Sequence, residues 1–331
     1  MSEEVLKLKD VYKDYFKIGT AVNLETLEKD KDLIASQFNS MTAENDMKPI
    51  ILSLEEEKFN YGPADQIVQF ANDNNMGMRG HTLVWHNQTP GWMFKDGDKK
   101  AGRELMLSRL EKYIHTTMNH YNDSLFYAWD VVNEAIDDTG SHLLRESPWL
   151  DTIGEDYIER AFEFARDANP DIPLFYNDYN ESHPHKREKI YKLVKDLIDK
   201  EIPVDGIGLQ AHWNLEDPHL DDIRRAIEKY ASLGLKLHVT EMDVSIFNFD
   251  DRRKDLTTLS PEMEEKQAER YGEFFSIFRE YHEYIDSVTL WAASDRYNWL
   301  NDFPVENRKN WPMLFDEANQ PKESFYRVTS F

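Results

Sequence analysis

"KLHVTEMDV", Lys236 to Val244, begins as a strand and closes on two acids. Side chains two apart on a strand share a face. Leu237, Val239, Glu241 and Asp243 therefore form one line that runs from apolar to anionic. An isolated carboxylate in an apolar site takes up a proton sooner than stay charged. This segment thus calls for a fold in which one end of a buried strand opens on a rim. We expect its apolar start to fill an interior and its acidic end to enter a cleft.

Seven similar runs rich in β-branched and aromatic residues are spread along the chain. They are "FKIGTAV" from Phe16, "SMTAEN" from Ser40, "GMRGHTLVW" from Gly77, "YAWDVVNEA" from Tyr127, "PLFYNDYN" from Pro173, "GIGLQAHW" from Gly206 and "SVTLWAAS" from Ser287. Amphipathic helical stretches fill nearly every gap. In the one from Glu104, Leu110, Tyr113, Ile114 and Met118 recur at three- and four-residue spacing. Two more begin at Glu155 and Glu264. Eight alternating units predict a closed (β/α)₈ TIM barrel, α/β in class, as a single catalytic domain over residues 1–331. Joins that enter strands look short, as in "ANPDIP" from Ala168, and joins that leave them long, as in "VSIFNFDDRRKDLTTLSP" from Val244. In such barrels the loops after the strands carry the active site.

The 331 residues are 40% hydrophobic and 13% aromatic, enough for a sizeable core. A net charge of −24 opposes binding to nucleic acid or to anionic membranes, so neither is expected as a partner. Without cysteine there is no disulfide or thiolate metal site. The N-terminal "MSEEVLKLKDVYKDYF" has no apolar core of a signal peptide, and a cytoplasmic protein is expected. Oligomeric state is not readable.

The chemistry-bearing residues gather at the run ends: Glu44 and Asn45, His81 and Trp85, Asn133 and Glu134, Gln210 and His212, Glu241 and Asp243, and Trp291. A barrel brings these to one mouth. Two carboxylates across a cleft suit glycosidic bond cleavage, one protonated to assist the leaving oxygen and one ionised to attack. Glu134 and Glu241, on runs four and seven, take these parts. Carboxyls ~5–5.5 Å apart would retain configuration and ~6.5–9.5 Å would invert it. His212 could bond Glu241 while Asp243 orients the ring, which would keep Glu241 ionised. Trp85, Trp291 and Trp299 suit sugar faces, with Glu44, Asn45, Lys48, His81, Asn133 and Gln210 for hydroxyls.

The segments "FNSMTAENDMKPI", "GHTLVWHNQTPGW", "AWDVVNEAID", "YNDYN", "DGIGLQAHW", "LHVTEMDV" and "WPMLFDEANQPKESFY" resemble the signature blocks of glycoside hydrolase family 10, the retaining endo-β-1,4-xylanases. "VNEA" and "TEMD" in that order are the most specific. The resemblance implies Glu134 as acid/base and Glu241 as nucleophile, supported by His212 and Asp243. It implies glycone-side contacts at Glu44, Asn45, Lys48, His81, Trp85, Asn133, Gln210, Trp291 and Trp299, and a first aglycone subsite at Tyr179 and Asn180. The eighth block, "WAASDRYNWL", has Ala292 where that family usually has glycine. Together with the N-terminus, the resemblance implies an intracellular form acting on imported xylo-oligosaccharides, with no cofactor and no metal.

Alternatives stand beside this reading: a β-1,4-glucanase on the same barrel, or a non-catalytic carbohydrate-binding barrel. His81, His86, His212 and His238 lack the spacing of common zinc ligand pairs. Trp92, Trp129, Trp149 and Trp311 read as structural, "DDRRKD" from Asp250 as a solvated loop, and "HPHKREK" from His183 as a helix start.

Overall fold

Each of the eight runs contributes a strand to one closed parallel sheet. A computed structural model describes residues 5–331; the first four residues of the expected 1–331 domain lie outside the described residues. The strands are β1 Lys17–Val22, β2 Ser40–Ala43, β3 Gly77–Trp85, β4 Phe126–Asn133, β5 Leu174–Asp178, β6 Gly206–Leu209, β7 Lys236–Ser245 and β8 Ile285–Leu290. Each pairs with the next, and β8 closes onto β1 with Ser287 opposite Lys17. Helices follow in turn: α1 Lys31–Gln37, α2 Gly62–Asp73, α3 Arg103–His120, α4 Tyr157–Ala168, α5 Pro184–Asp199, α6 Leu220–Ala231, α7 Pro261–Glu280 and α8 Glu323–Thr329. The expected TIM barrel is present.

Local chemistry sets the element ends. α7 begins where the Ser260 hydroxyl accepts from the Met263 N–H at 3.2 Å, with Pro261 in the first helical position. α4 buries Ile158, Ala161, Phe162 and Ala165 at helical spacing against the sheet. The sixth run is the one that differs most. β6 stops at Leu209, the chain turns at Ala211 (φ 58°), and His212–Asn214 resumes beside the outer end of β7 with His212 opposite Asp243.

The barrel interior departs from expectation. Arg79 of β3 donates from its Nε to His238 Nδ1 of β7 at 3.0 Å and grips Asp130 of β4 with two bonds of 2.9 and 2.7 Å. Phe175 of β5 stacks on the His238 ring with centroids 4.1 Å apart. The Tyr127 hydroxyl of β4 bonds Ser40 of β2 at 2.6 Å and Ser287 of β8 at 2.9 Å. Strands so far apart around the sheet meet only inside it. His238 is thus the inward residue, and its neighbours Leu237 and Val239 face outward to the helices. The apolar start of β7 packs the helical layer, not the interior.

A bulge corrects the parity. Val239 lies opposite Val288 but Met242 lies opposite Leu290, three steps on β7 against two on β8. One extra residue moves later side chains to the other face, and Glu241 is brought to the mouth. β3 and β4 slip at the same level: His81 opposes Asp130 while Val84 opposes Val132, and Asp130 opposes Phe175 while Val132 opposes Tyr176.

The Arg79–Asp130 pair is 0% exposed on both sides. Removing one partner of such a pair strands a buried charge. Asp130→Ala should lower unfolding free energy by about 3–5 kcal/mol, read from denaturant unfolding; a loss under about 1 kcal/mol would show that the interior charges are not coupled.

Candidate active site

Three successive strands of the barrel end in non-glycine residues with left-handed backbone: Glu134 (φ 56°) after β4, Asn180 (φ 52°) after β5 and Ala211 (φ 58°) after β6. Side chains disfavour this region, and surrounding contacts must hold it. At Glu134 the turn interrupts the alternation of β4, so Asn133 and Glu134 both serve the mouth.

Glu134 Oε2 accepts from Asn133 Nδ2 and from Gln210 Nε2, each at 3.1 Å. Burial, then the negative charges of Asp178 and Glu241, push its carboxyl up to about 7, against the Gln210 hydrogen bond. Glu134 therefore keeps a proton near neutrality. Glu241 is the more enclosed of the two, at 5% exposure against a partly buried Glu134, yet has the opposite bias. Burial would raise it, but His81, with Nε2 at 3.7 Å from Oε1, and His212, with Nε2 at 3.0 Å from Oε2, bring it below the ordinary carboxylate value. One glutamate holds a proton where the other does not, which assigns acid and nucleophile.

Together with His81, His212 makes this possible. Its Nδ1 sits 3.0 Å from both oxygens of Asp243, and Trp299 Nε1 donates to Asp243 Oδ2 at 2.8 Å. Burial disfavours the imidazolium, but Asp243 and Glu241 together raise it to about 10. The ring is positive throughout the neutral range and donates from both nitrogens.

Amides join the two glutamates. Asn177 Nδ2 donates to Glu241 Oε1 and to Asn133 Oδ1, both at 2.9 Å; Gln210 Nε2 reaches Asn133 Oδ1 at 3.2 Å; Asn133 then donates to Glu134. Thr240 Oγ1 fixes the Asn177 carbonyl at 2.6 Å. A Cβ at Gly208 would lie 2.2 Å from Asn177 Oδ1, so only glycine on β6 leaves room for this amide. Positions 134 and 241 thus share one pocket.

The remaining expected residues surround it. Lys48, buried, donates to Asn45 Oδ1 and Gln88 Oε1 at 2.9 Å each and lies 4.9 Å over the Trp85 ring. Glu44 accepts from Asn23 Nδ2 at 3.0 Å. His81 is oriented by Asp130 at 2.8 Å and meets the Trp291 ring edge-on at 5.5 Å. Trp299 is tilted over His212 at 4.9 Å and stacks on Phe303 at 4.7 Å. Tyr179 and Asn180 stand past β5, Asn180 exposed. His238 is committed to Arg79 below the site; the bulge puts Glu241 inside the barrel with it, where strict alternation placed them on opposite faces. Among the described residues, no group of three or more His, Asp or Glu is disposed to hold a metal ion.

Sequence reasoning missed Asn177, Asp178, Arg145 and Lys186. "YNDYN" carried a signal for Asn177, because it shares a strand face with Tyr179. "HPHKREK" proved more than a helix start: Lys186 is 4.1 Å from the Tyr179 ring and pairs with Asp178 at 3.1 Å. Trp149, structural as expected, also holds Trp85 through a 3.1 Å bond to its carbonyl.

Activity should follow a bell in pH. It falls on the alkaline side as Glu134 loses its proton near its pKa of about 7, and on the acid side as Glu241 gains one. His212→Asn should move the acid limb upward by about 1–3 units and leave the alkaline limb in place. Profiles of kcat/KM would decide, and an unmoved acid limb would deny His212 its role.

Known proteins agree with this geometry. The sequence profile of glycosyl hydrolase family 10 matches residues 7–331. An endo-1,4-beta-xylanase of Geobacillus stearothermophilus is 50% identical over 333 residues, covering 100% of each chain. The crystal structure of xylanase XynB from Paenibacillus barcinonensis, complexed with a conduramine derivative, superposes with a TM-score of 0.97 at 51% identity and 99% coverage of both chains. A mutant chain solved in complex with xylotriose gives 0.97 at 48% identity, covering 99% of this chain and 100% of that one. Barrel, paired carboxylates and full-length match lead to one assignment: the chain belongs to glycosyl hydrolase family 10.

Proposed function

We propose that this enzyme hydrolyses internal β-1,4-xylosidic bonds of xylan or xylo-oligosaccharides with retention of configuration. The observation that carries the reading is the amide chain from Glu241 through Asn177 and Asn133 to Glu134, with opposite proton affinities at its ends. Xylose as the sugar is supported by the relatives, which are named xylanases or hold xylotriose.

In the first step a Glu241 oxygen attacks the anomeric carbon. The bond to the leaving oxygen breaks as Glu134 delivers its proton there, giving a glycosyl ester on Glu241. A water then attacks the same carbon, Glu134 takes the water's proton, and Glu241 leaves as carboxylate. His212 and Asn177 hold Glu241 in place through both steps. Trp85, Trp291 and the Lys48–Asn45–Glu44 group line the side on which the non-reducing part of the chain would lie, and Tyr179 and Asn180 the other. No protein group outside this set is needed to balance the steps.

A cytoplasmic location is part of the proposal. Activity in the washed cell lysate of the producing cells would support it, and activity confined to the medium would overturn it.

Two experiments test the function. Aryl xylobioside and xylotrioside should turn over far better than the corresponding cello-oligosaccharides; equal or better use of the latter would favour a glucanase. Glu241→Gly should lose essentially all turnover, and azide should restore it in the missing space with the α-glycosyl azide as product. Absence of rescue by any small anion would remove Glu241 from the nucleophile's place.

A further inference from the structure

Resting on that reading, one question stays open: what holds Glu134 in its left-handed turn. The Glu134 N–H donates to the Asn177 carbonyl at 2.9 Å, and the Ala135 N–H to the Tyr176 hydroxyl at 3.1 Å. The carbonyl of Glu134 accepts from Arg145 Nε at 3.0 Å, and the Arg145 N–H donates to the Ala135 carbonyl at 2.8 Å. Residue 145 thus clasps the acid/base segment from both its backbone and its side chain. Ile136 and Leu144 form a β-bridge just beyond, which fixes the distance between the two strands of the clasp.

The rest of the guanidinium points toward the leaving-group side. Its Nη2 donates to the Tyr179 hydroxyl at 2.7 Å and to Asp138 Oδ2 at 3.3 Å, and Tyr179 itself donates to Asp138. The planar fork fixes its donors relative to one another. Displacing Tyr179 therefore tilts the same group that holds the Glu134 carbonyl.

We propose that Arg145 is a positioning residue for the general acid, and that it couples contact at Tyr179 to the aim of Glu134. Arg145 does not touch the reacting atoms. Its effect should appear only where protonation of the leaving oxygen limits the rate. Lysine keeps the charge but not the fork, so it should not substitute.

The test compares kcat/KM, which reports the first step, for a dinitrophenyl xylobioside and for xylotetraose. The dinitrophenolate departs without a proton, whereas the sugar alcohol requires one. Arg145→Met and Arg145→Lys should each lose about 10–100-fold on xylotetraose and under about 3-fold on the activated substrate. Tyr179→Phe should cost less in the Arg145→Met background than alone. Equal losses on both substrates, or none, would overturn the proposal. Circular dichroism melts separate misfolding from mispositioning, and if Arg145→Met does not fold, Arg145→Lys alone decides. A wild type that cleaves neither substrate would count against the xylanase reading and not against the clasp.

Discussion

The chemistry of this molecule depends on a single positive ring between two carboxylates. His212 donates to Glu241 on one side and to Asp243 on the other. Left alone, Glu241 would respond to burial as Glu134 does and hold a proton. His81 and this imidazole together reverse that response, and two glutamates in one pocket acquire different tasks. Asp243 is the price of keeping the ring charged in a buried position, and Trp299 keeps Asp243 in place.

The fold serves this arrangement in a way that regular barrel geometry does not. Strict alternation along β7 would send Glu241 outward with Leu237 and Val239. The bulge before Met242 turns it inward, and a similar slip on β4 precedes Asn133, while His81 follows the inward Arg79 by plain alternation. Beneath them, the Arg79–Asp130–His238 cluster replaces the branched aliphatic layers common in such barrels. Asp130 joins the two tiers, because one of its oxygens pairs with Arg79 and also orients His81. Left-handed turns above the bulges then spread Glu134, Asn180 and Ala211 around the opening.

Much of this was legible in the sequence. "GMRGHTLVW" becomes β3 at both of its ends, and the eight-fold alternation fixes the barrel, because period and length are properties of each segment alone. Glu134 and Glu241 could be named because acids at strand ends are rare without a rim to receive them. Register was not legible. A bulge is one residue of slip against a neighbour far along the chain, and no periodicity within "KLHVTEMDV" contains it. The interior was misjudged for the same reason. Asn177, Asp178 and Lys186 escaped notice because their meaning comes from partners on other strands and helices, and Arg145 because it lies in a long loop without a pattern.

The most direct measurement of the central claim is to trap the covalent intermediate. A 2-deoxy-2-fluoro xylobioside with a dinitrophenyl leaving group would slow both steps while leaving formation of the ester faster than its hydrolysis. Peptide mapping by mass spectrometry should then find one sugar-derived mass increment, on Glu241, discharged on dilution into xylobiose acceptor. A label on Glu134 or elsewhere, or burst-free turnover with no label at any pH, would contradict the account.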